Sequence, residues 1–352
     1  MSKHSVLEAR DLVVEFRQRG GATLRAVDHV SFALEKGETL ALVGESGSGK
    51  STVVRTLARL ERSPAGAVLL DGQPAGRHGR SLRAYRKRVQ LIFQDPFASL
   101  NPMHTVRYHL ARPLLRLHPG GSRSRLDASI AELLESVNLT PAAEVARKHP
   151  HELSGGQRQR VAIARALASS PDVLLADEPV SMLDVSIRLE ILNLLDRLKR
   201  ERNLALLYVT HDLATARHFS SQIMVMYRGE IVERGPADAV ILRPSHPYTQ
   251  LLASAAPNPG APREQLAAAR RAREAVRAAA ASAASAADTA AERREVLVGA
   301  GCRFLLRCPH AMDTCVTQPP DVLVSADHHA RCWLYADGGQ GGQGGPVPGR
   351  RG

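Results

Sequence analysis

Short, nearly continuous apolar runs recur through the first part of the chain: TLALVG at 39–44, VQLIF at 89–93, DVLLAD at 172–177 and LALLYVT at 204–210. A strand covered on both faces of a sheet needs apolar side chains at consecutive positions, so these runs predict buried strands. Between them the period changes. In SIRLEILNLLDRLKRERN, Ile187, Ile191, Leu194, Leu195 and Leu198 fall on one helical face, with Arg, Lys and Glu opposite. Buried strands alternating with amphipathic helices predict an α/β domain around a largely parallel sheet. Residues 100–168 hold no comparable run; SIAELLESVNL and QRQRVAIARALASS have helical spacing, which predicts a helical subdomain over about 95–170.

After HPYTQLLASAAPNPG the pattern stops. Residues 256–298 are rich in Ala and Arg. Their helix propensity is high, but few large apolar side chains are available to hold such a helix to a core, so the stretch reads as a solvated helix or flexible linker. The Gly-rich tail, 337–352, reads as disordered. The expected organisation is therefore a domain over 1–255, a linker over 256–298, a small extension over 299–336 that holds every cysteine of the chain, and the tail. No internal repeat is visible.

Composition adds a partner and a compartment. A formal net charge of +12 over 352 residues suits an anionic partner such as a nucleotide, a nucleic acid or an anionic membrane face, although Arg spread over a solvated surface looks the same at this level. The start, MSKHSVLEARDLVVEF, has no apolar core behind its basic residues and does not read as a secretory signal. No stretch approaches the roughly 20 apolar residues of a membrane helix. A soluble, cytosolic protein is expected. Thiols stay reduced there, which turns the clustered cysteines toward metal rather than disulfides.

The chemistry begins at GESGSGKS, Gly44 to Ser51, which fits G-x-x-x-x-G-K-[ST] between an apolar strand and the helical pattern STVVRTLARLE. Glycines let the backbone wrap a phosphate chain and aim N–H groups inward. Lys50 would bridge the β- and γ-phosphates, Ser51 would place its hydroxyl on Mg²⁺, and the helix start adds positive potential. Glu45, Ser46, Gly47, Ser48, Gly49 and Thr52 complete the expected ATP cradle. DVLLADEP supplies a buried strand ending in two carboxylates. Asp177 is placed to hold Mg²⁺ and Glu178 to polarise the attacking water; phosphoryl transfer needs positioning and charge stabilisation more than covalent chemistry.

LSGGQRQR, at 153–160, is a second phosphate-competent helix start, made by Ser154, Gly155, Gly156 and Gln157. One chain with one Gly-rich Lys loop does not need two cradles for one nucleotide. A dimer resolves this, with ATP between the loop of one subunit and this helix start of the other.

With these motifs in order, residues 5–255 resemble the ATPase subunits of ATP-binding cassette (ABC) transporters. The resemblance implies a P-loop NTPase fold of ABC type: a mostly parallel sheet with helices, an antiparallel β subdomain and a helical subdomain, followed here by a small Cys-containing extension. It also implies that Phe16 stacks on adenine, that Gln94 in FQDP reaches the metal, and that Ser154–Gln157 complete the partner's site. Asp184 in SMLD is then the dimer-contact residue, and His211 in THD meets the γ-phosphate alongside the catalytic Glu178. VQLIFQDPFASLNP, HPHELSGGQRQRVAIARALA, DEPVSMLDVS and HPYTQLL resemble the oligopeptide and dipeptide importer branch, which also serves nickel and other small solutes. Met182 departs from that pattern, standing where a smaller residue is common, and the Ala-rich stretch replaces a short Pro-containing lead.

The resemblance implies ATP and Mg²⁺ as cofactors and uptake of di- or oligopeptides. As partners it implies a second, related ATPase subunit, two membrane permease subunits and an extracytoplasmic solute-binding protein, with no nucleic acid. The expected place is the cytoplasmic face of a bacterial cell membrane, as a peripheral subunit. A soluble cassette ATPase acting on ribosomes or DNA is the competing class; such proteins usually carry two cassettes or a long coiled coil, and this chain shows one cassette and no heptad run.

The cysteines are spaced C-x5-C-x6-C from Cys302 through Cys308 to Cys315, with Cys332 further on. Structural zinc favours tighter C-x2–4-C pairs, which weakens zinc without removing it. Four thiolates also hold iron–sulfur clusters, for which spacing is more permissive. Unligated thiols or a disulfide are the third reading, and the resemblance implies a [4Fe–4S] cluster.

Overall fold

The computed structural model describes residues 5–17, 21, 23–117, 122–255 and 301–336; the stretch 256–298 read as a linker and the tail 337–352 lie outside them. The chain divides into two compact units, Met1–Glu230 and Ile231–Gly352.

In the first unit two long strands, β1 (Ser5–Arg17) and β2 (Thr23–Glu35), pair antiparallel and lead into β3 (Thr39–Val43), whose every residue is buried. Helix α1 (Lys50–Leu57) follows the Gly-rich loop, and β4 (Ala65–Leu70) and β5 (Gln73–Pro74) return to the antiparallel sheet, whose order is β2-β1-β4-β5. Helix α2 (Gly79–Arg88) runs straight into β6 (Val89–Ile92). A helical stretch comes next, with α3 (Pro96–Ser99), α4 (Val106–Leu117), α5 (Arg123–Ser136), α6 (Ala142–Arg147) and α7 (Gly155–Leu167). The chain then alternates β7 (Val173–Asp177), α8 (Val185–Arg202), β8 (Ala205–Thr210), α9 (Leu213–Phe219) and β9 (Gln222–Tyr227).

The four apolar runs singled out in the sequence are β3, β6, β7 and β8, and they lie parallel in the order β9-β3-β8-β7-β6. Burial on both faces explains their unbroken apolarity: all of β3, β7 and β8 is buried. On α8, Ile191, Leu194, Leu195 and Leu198 are buried as the helical spacing requires, and Ile187 is half-buried. The parallel arrangement brings the C-terminal ends of β3, β7 and β8 together, the position at which open α/β sheets bind ligands.

The second unit is built around β10 (Glu230–Pro236), α10 (Ala237–Leu242), α11 (Pro247–Ala255), β11 (Asp321–Ser325) and β12 (His328–Arg331). Strand β12 pairs antiparallel with both β10 and β11. The centre of this unit is polar. The Glu233 carboxylate, wholly buried, accepts the backbone N–H of Ser245 at 2.7 Å and of His246 at 2.9 Å and lies 2.7 Å from His328 Nε2. Phe304 is buried with its ring against Tyr248 and His246, at centroid distances of 5.5 and 5.9 Å, and the Tyr335 hydroxyl donates to the Ser245 carbonyl at 2.9 Å. The two sequence-distant halves of this unit are therefore joined by specific buried hydrogen bonds rather than by apolar surface alone.

Candidate nucleotide-binding site

Strand β3 ends at Val43, and the chain turns at once through Gly44–Gly49 into α1. Two glycines make the turn possible. A Cβ on Gly44 would stand 2.2 Å from the Met226 carbonyl oxygen, and Gly49 has φ +108° with the Ala26 carbonyl 2.2 Å from the place of a Cβ. The helix thus begins directly at Lys50, its N–H groups facing the loop. The Lys50 ammonium is buried and donates to the carbonyls of Gly44 and Glu45, both at 2.8 Å. Burial lowers its pKa, opposed by the charges of Glu178, Asp177 and Glu45.

The carboxylates come from the end of β7. Asp177 is buried and accepts the Ser51 hydroxyl at 3.0 Å. Its pKa is raised, first by burial, with the Ser51 hydrogen bond opposing. Glu178 has φ +44°, a sparsely populated conformation for a non-glycine residue, and its N–H donates to the Val209 carbonyl at 3.0 Å. Its Oε2 receives the Gln94 amide at 3.2 Å and lies 3.4 Å from His211 Nδ1. Gln94 follows β6 and His211 follows β8, so three strand ends converge on one carboxylate oxygen.

These groups border a cleft of about 630 Å³, lined on one side by Ser46, Gly47, Gly49, Lys50, Ser51 and Thr52, and on the other by Gln94, Glu178 and His211. Phe16, Leu24 and Ala26 close it with an apolar wall. Gly44, Glu45, Ser48 and Asp177 stand outside this lining; Gly44, Ser48 and Asp177 are buried, and the Ser48 hydroxyl has no hydrogen-bond partner among the described residues. Leu24 and Ala26 carry no sequence signal of this role; Leu24 is recruited by the strand register, which sets it directly opposite Phe16 across the β1–β2 pair.

Ser154, Gly155, Gly156 and Gln157 do not line this cleft. Ser154 caps α7: its Oγ accepts the Gln157 N–H at 3.2 Å, and its own N–H donates to the Gln157 side chain at 3.0 Å. Ser154 is exposed, while a Cβ on Gly156 would stand 2.8 Å from Ile187. Asp184, the N-cap of α8, makes no side-chain capping bond and is exposed.

All four cysteines are free thiols, with Cys302, Cys315 and Cys332 buried and Cys308 half-buried. Cys302 N–H donates to the Cys315 carbonyl at 2.9 Å. Burial pushes the Cys332 thiol up to about 11, and Cys302, Cys308 and Cys315 push the same way. Burial also raises Cys308. Among the described residues no three or more His, Cys, Asp or Glu side chains are arranged to hold a metal ion. The structure therefore does not by itself assemble the expected [4Fe–4S] or zinc centre: burial raises the Cys308 and Cys332 thiols away from the thiolate form that ligation needs.

A Gly-rich loop with a buried lysine facing two strand-end carboxylates, and a second helix start held away from it, defines an ATP-binding cassette. Residues 27–181 match the family described as "ABC transporter", and residues 232–315 match "Oligopeptide/dipeptide transporter, C-terminal region". The chain is 41% identical over 308 residues, 87% of its length and 81% of the relative's, to a probable peptide ABC transporter ATP-binding protein, y4tS, of Sinorhizobium fredii. It is 39% identical over 344 residues, 95% and 99% of the two chains, to the oligopeptide transport ATP-binding protein AppF of Bacillus subtilis. The glutathione import ATP-binding protein GsiA of Salmonella typhi is 48% identical over 263 residues, 72% of this chain but 41% of that longer protein. Among solved structures, the cassette MJ0796 in a dimeric post-hydrolysis state bound to ADP and Pi has a TM-score of 0.59 at 30% identity, covering 66% of this chain and 98% of that one. The cbiO1 subunit of Clostridium perfringens, at 24% identity over 68% of this chain and 92% of its own, shares the fold with a TM-score of 0.60. The chain belongs to the ABC transporter family as an ATP-binding subunit, and it carries the C-terminal region of the oligopeptide and dipeptide transporters.

Proposed function

We propose that this chain is the ATP-hydrolysing subunit of an importer for di- and oligopeptides, peripheral on the cytoplasmic face of a bacterial membrane. The carrying observation is the convergence of Lys50, Ser51, Glu178, Gln94 and His211 at one cleft, with Asp177 buried behind it on the Ser51 hydroxyl and the helix start at Ser154 outside the lining. Lys50 exchanges the Gly44 and Glu45 carbonyls for the β- and γ-phosphates. Ser51, Asp177 and Gln94 would hold Mg²⁺, which when bound neutralises phosphate charge. Glu178 orients the attacking water, and His211, beside it, meets the γ-phosphate. Phe16 stacks on the adenine.

The exposed start of α7 completes the cleft of a second, related ATPase subunit, with Asp184 in the dimer contact. Closure by ATP and reopening after hydrolysis are passed to two permease subunits, which receive peptide from a solute-binding protein; this is a two-state switch biased by the γ-phosphate. The peptide assignment is supported by the match at 232–315 and by the printed roles of y4tS and AppF. The test is Glu178→Gln in this chain assembled with its partner ATPase subunit, with Mg·ATP. It should lower steady-state phosphate release by about 10²–10⁴-fold, as expected for loss of a positioned base, while leaving an ATP-bound dimer. Unchanged turnover overturns the assignment.

The [4Fe–4S] cluster on Cys302, Cys308, Cys315 and Cys332 belongs to this proposal as its separate part. Its support is that four free thiols of one unit lie within electrostatic reach of one another. Protein prepared without oxygen that is colourless and free of iron overturns it.

A further inference from the structure

From Gly72 to Gln94 the chain contains no Asp or Glu, and this interval holds Arg77, Arg80, Arg83, Arg86, Lys87 and Arg88. Helix α2 carries most of them. Its inner side packs into the first unit: Tyr85 is buried with its hydroxyl on the Leu57 carbonyl at 2.5 Å, and Leu82 is half-buried. Arg88 is neutralised by Asp71 and Asp172. Arg77, Arg80, Arg83, Arg86 and Lys87 are all exposed, and none has an acidic partner among the described residues; Arg86 reaches only the Arg59 carbonyl, at 2.7 Å. The spacing 80, 83, 86, 87 gathers four cations on one side of the helix.

Helix stability does not account for this. Cations in the last turn complement the helix dipole, which covers Arg86 and Lys87, but Arg80 stands in the first turn, where no acidic residue offsets it. The chemistry of the face also narrows what it meets. The only Phe, Tyr or Trp of α2, Tyr85, is buried, so the helix lacks the exposed benzene or indole platform on which the bases of a single strand stack. No large apolar side chain projects from it to anchor a protein partner, because Leu82 is the sole other large apolar residue of α2 and is turned inward. Diffuse cations without a pocket suit a diffuse anionic surface.

We propose that the outer face of α2, with Arg80, Arg83, Arg86 and Lys87 and with Arg77 preceding it, docks on anionic phospholipid headgroups of the bilayer beside which this subunit works. The proposal rests on the membrane-peripheral reading above.

The experiment is co-sedimentation of the full chain with phosphatidylcholine vesicles, with and without phosphatidylglycerol, at low and high salt. Binding should require phosphatidylglycerol and fall with salt. Combined Arg80→Glu, Arg83→Glu and Lys87→Glu should weaken it on the order of a hundredfold at low salt. The Gln triple, which preserves helix propensity, should give an intermediate loss, and both variants should bind ATP as the parent does. Equal binding to phosphatidylcholine alone, or unchanged binding by the Glu triple, overturns the proposal. So does a basic face whose reversal abolishes binding of an oligonucleotide while vesicle binding persists. If vesicle binding follows the α2 charges but the chain hydrolyses no ATP, the transport-ATPase reading fails and the lipid surface stands; the converse result separates them the other way.

Discussion

Phe16 and Leu24 lie directly opposite each other across the β1–β2 pair, both partly exposed and both forming the apolar wall of the nucleotide cleft. Opposed side chains on a strand pair act as one surface, so the wall reads as a platform for a flat base rather than as frayed core. Phe16→Ala should weaken ATP binding by about 1–3 kcal/mol, the range for loss of one base–aromatic stack, while Phe16→Tyr should preserve it. Leu24→Ala should cost less, and the double variant less than the sum, because the two are cross-strand partners lining one cleft. Titration with a fluorescent ATP analogue measures this; turnover at saturating ATP should not change.

Asp177 presents the opposite balance, a charge whose burial harms the empty protein. Its pKa is raised mainly by burial, so the folded state holds the proton more tightly than the unfolded chain. Stability then falls as pH rises from the ordinary aspartate range through the raised value. Asp177→Asn should raise the melting temperature of nucleotide-free protein near neutral pH by about 2–4 °C, if burial of the charge costs about 1 kcal/mol. The gain should vanish in acid, where the aspartate is protonated in both states. The same variant should lose the extra stabilisation that Mg²⁺ adds to bound ATP. Thermal scans across pH, with and without Mg·ATP, decide it.

What could be read in advance follows from burial. Strands β3, β6, β7 and β8 announce themselves because two-sided covering forces consecutive apolar residues. The outer strands do not: β1 and β2 mix buried and exposed positions with several bulges, which blurs any period. At the cleft, Lys50, Ser51, Asp177 and Glu178 were legible because glycines and carboxylates at strand ends have few other uses. Phe16, Gln94 and His211 became legible only through resemblance, since a lone Phe, Gln or His carries no spacing signal. Glu233 was invisible. Its partners Ser245, His246 and His328 are brought to it by folding, and nothing in VERG marks the acid as buried.

That glutamate sets the stability of the second unit. Glu233→Ala would leave two buried N–H groups and His328 without an acceptor, a loss of about 3–5 kcal/mol on the scale of broken buried pairs. His328→Ala should cost less, because the carboxylate retains its two backbone donors. Burial holds His246 at a pKa of about 4, below its ordinary 6.5, and its Nδ1 accepts the Tyr248 N–H at 3.0 Å. A depressed folded-state pKa means that the unfolded chain binds the proton first, so stability drops as pH falls from about 6.5 toward about 4. Trp333, the single tryptophan of the chain, lies in this unit, so its fluorescence in urea reports both effects. A Glu233→Ala midpoint equal to that of the parent would contradict this account.

The start of α7 offers the sharpest separation of binding from turnover. Ser154 is exposed, closes its own cap with Gln157 and stays out of the cleft that holds Lys50. If it served the nucleotide of its own chain, Ser154→Arg would weaken ATP affinity. If it serves a partner's nucleotide, affinity of the isolated chain should stay within about twofold. Phosphate release by the chain paired with its partner ATPase would instead fall by about 10²–10³-fold, the usual cost of removing one donor aimed at developing charge. The bulky cation should also perturb the cap by about 1 kcal/mol, a loss visible in thermal melts and too small to mimic unfolding. Equilibrium nucleotide binding and steady-state turnover on the same preparation distinguish the two arrangements, and a parallel loss of both would place Ser154 in the site of its own subunit.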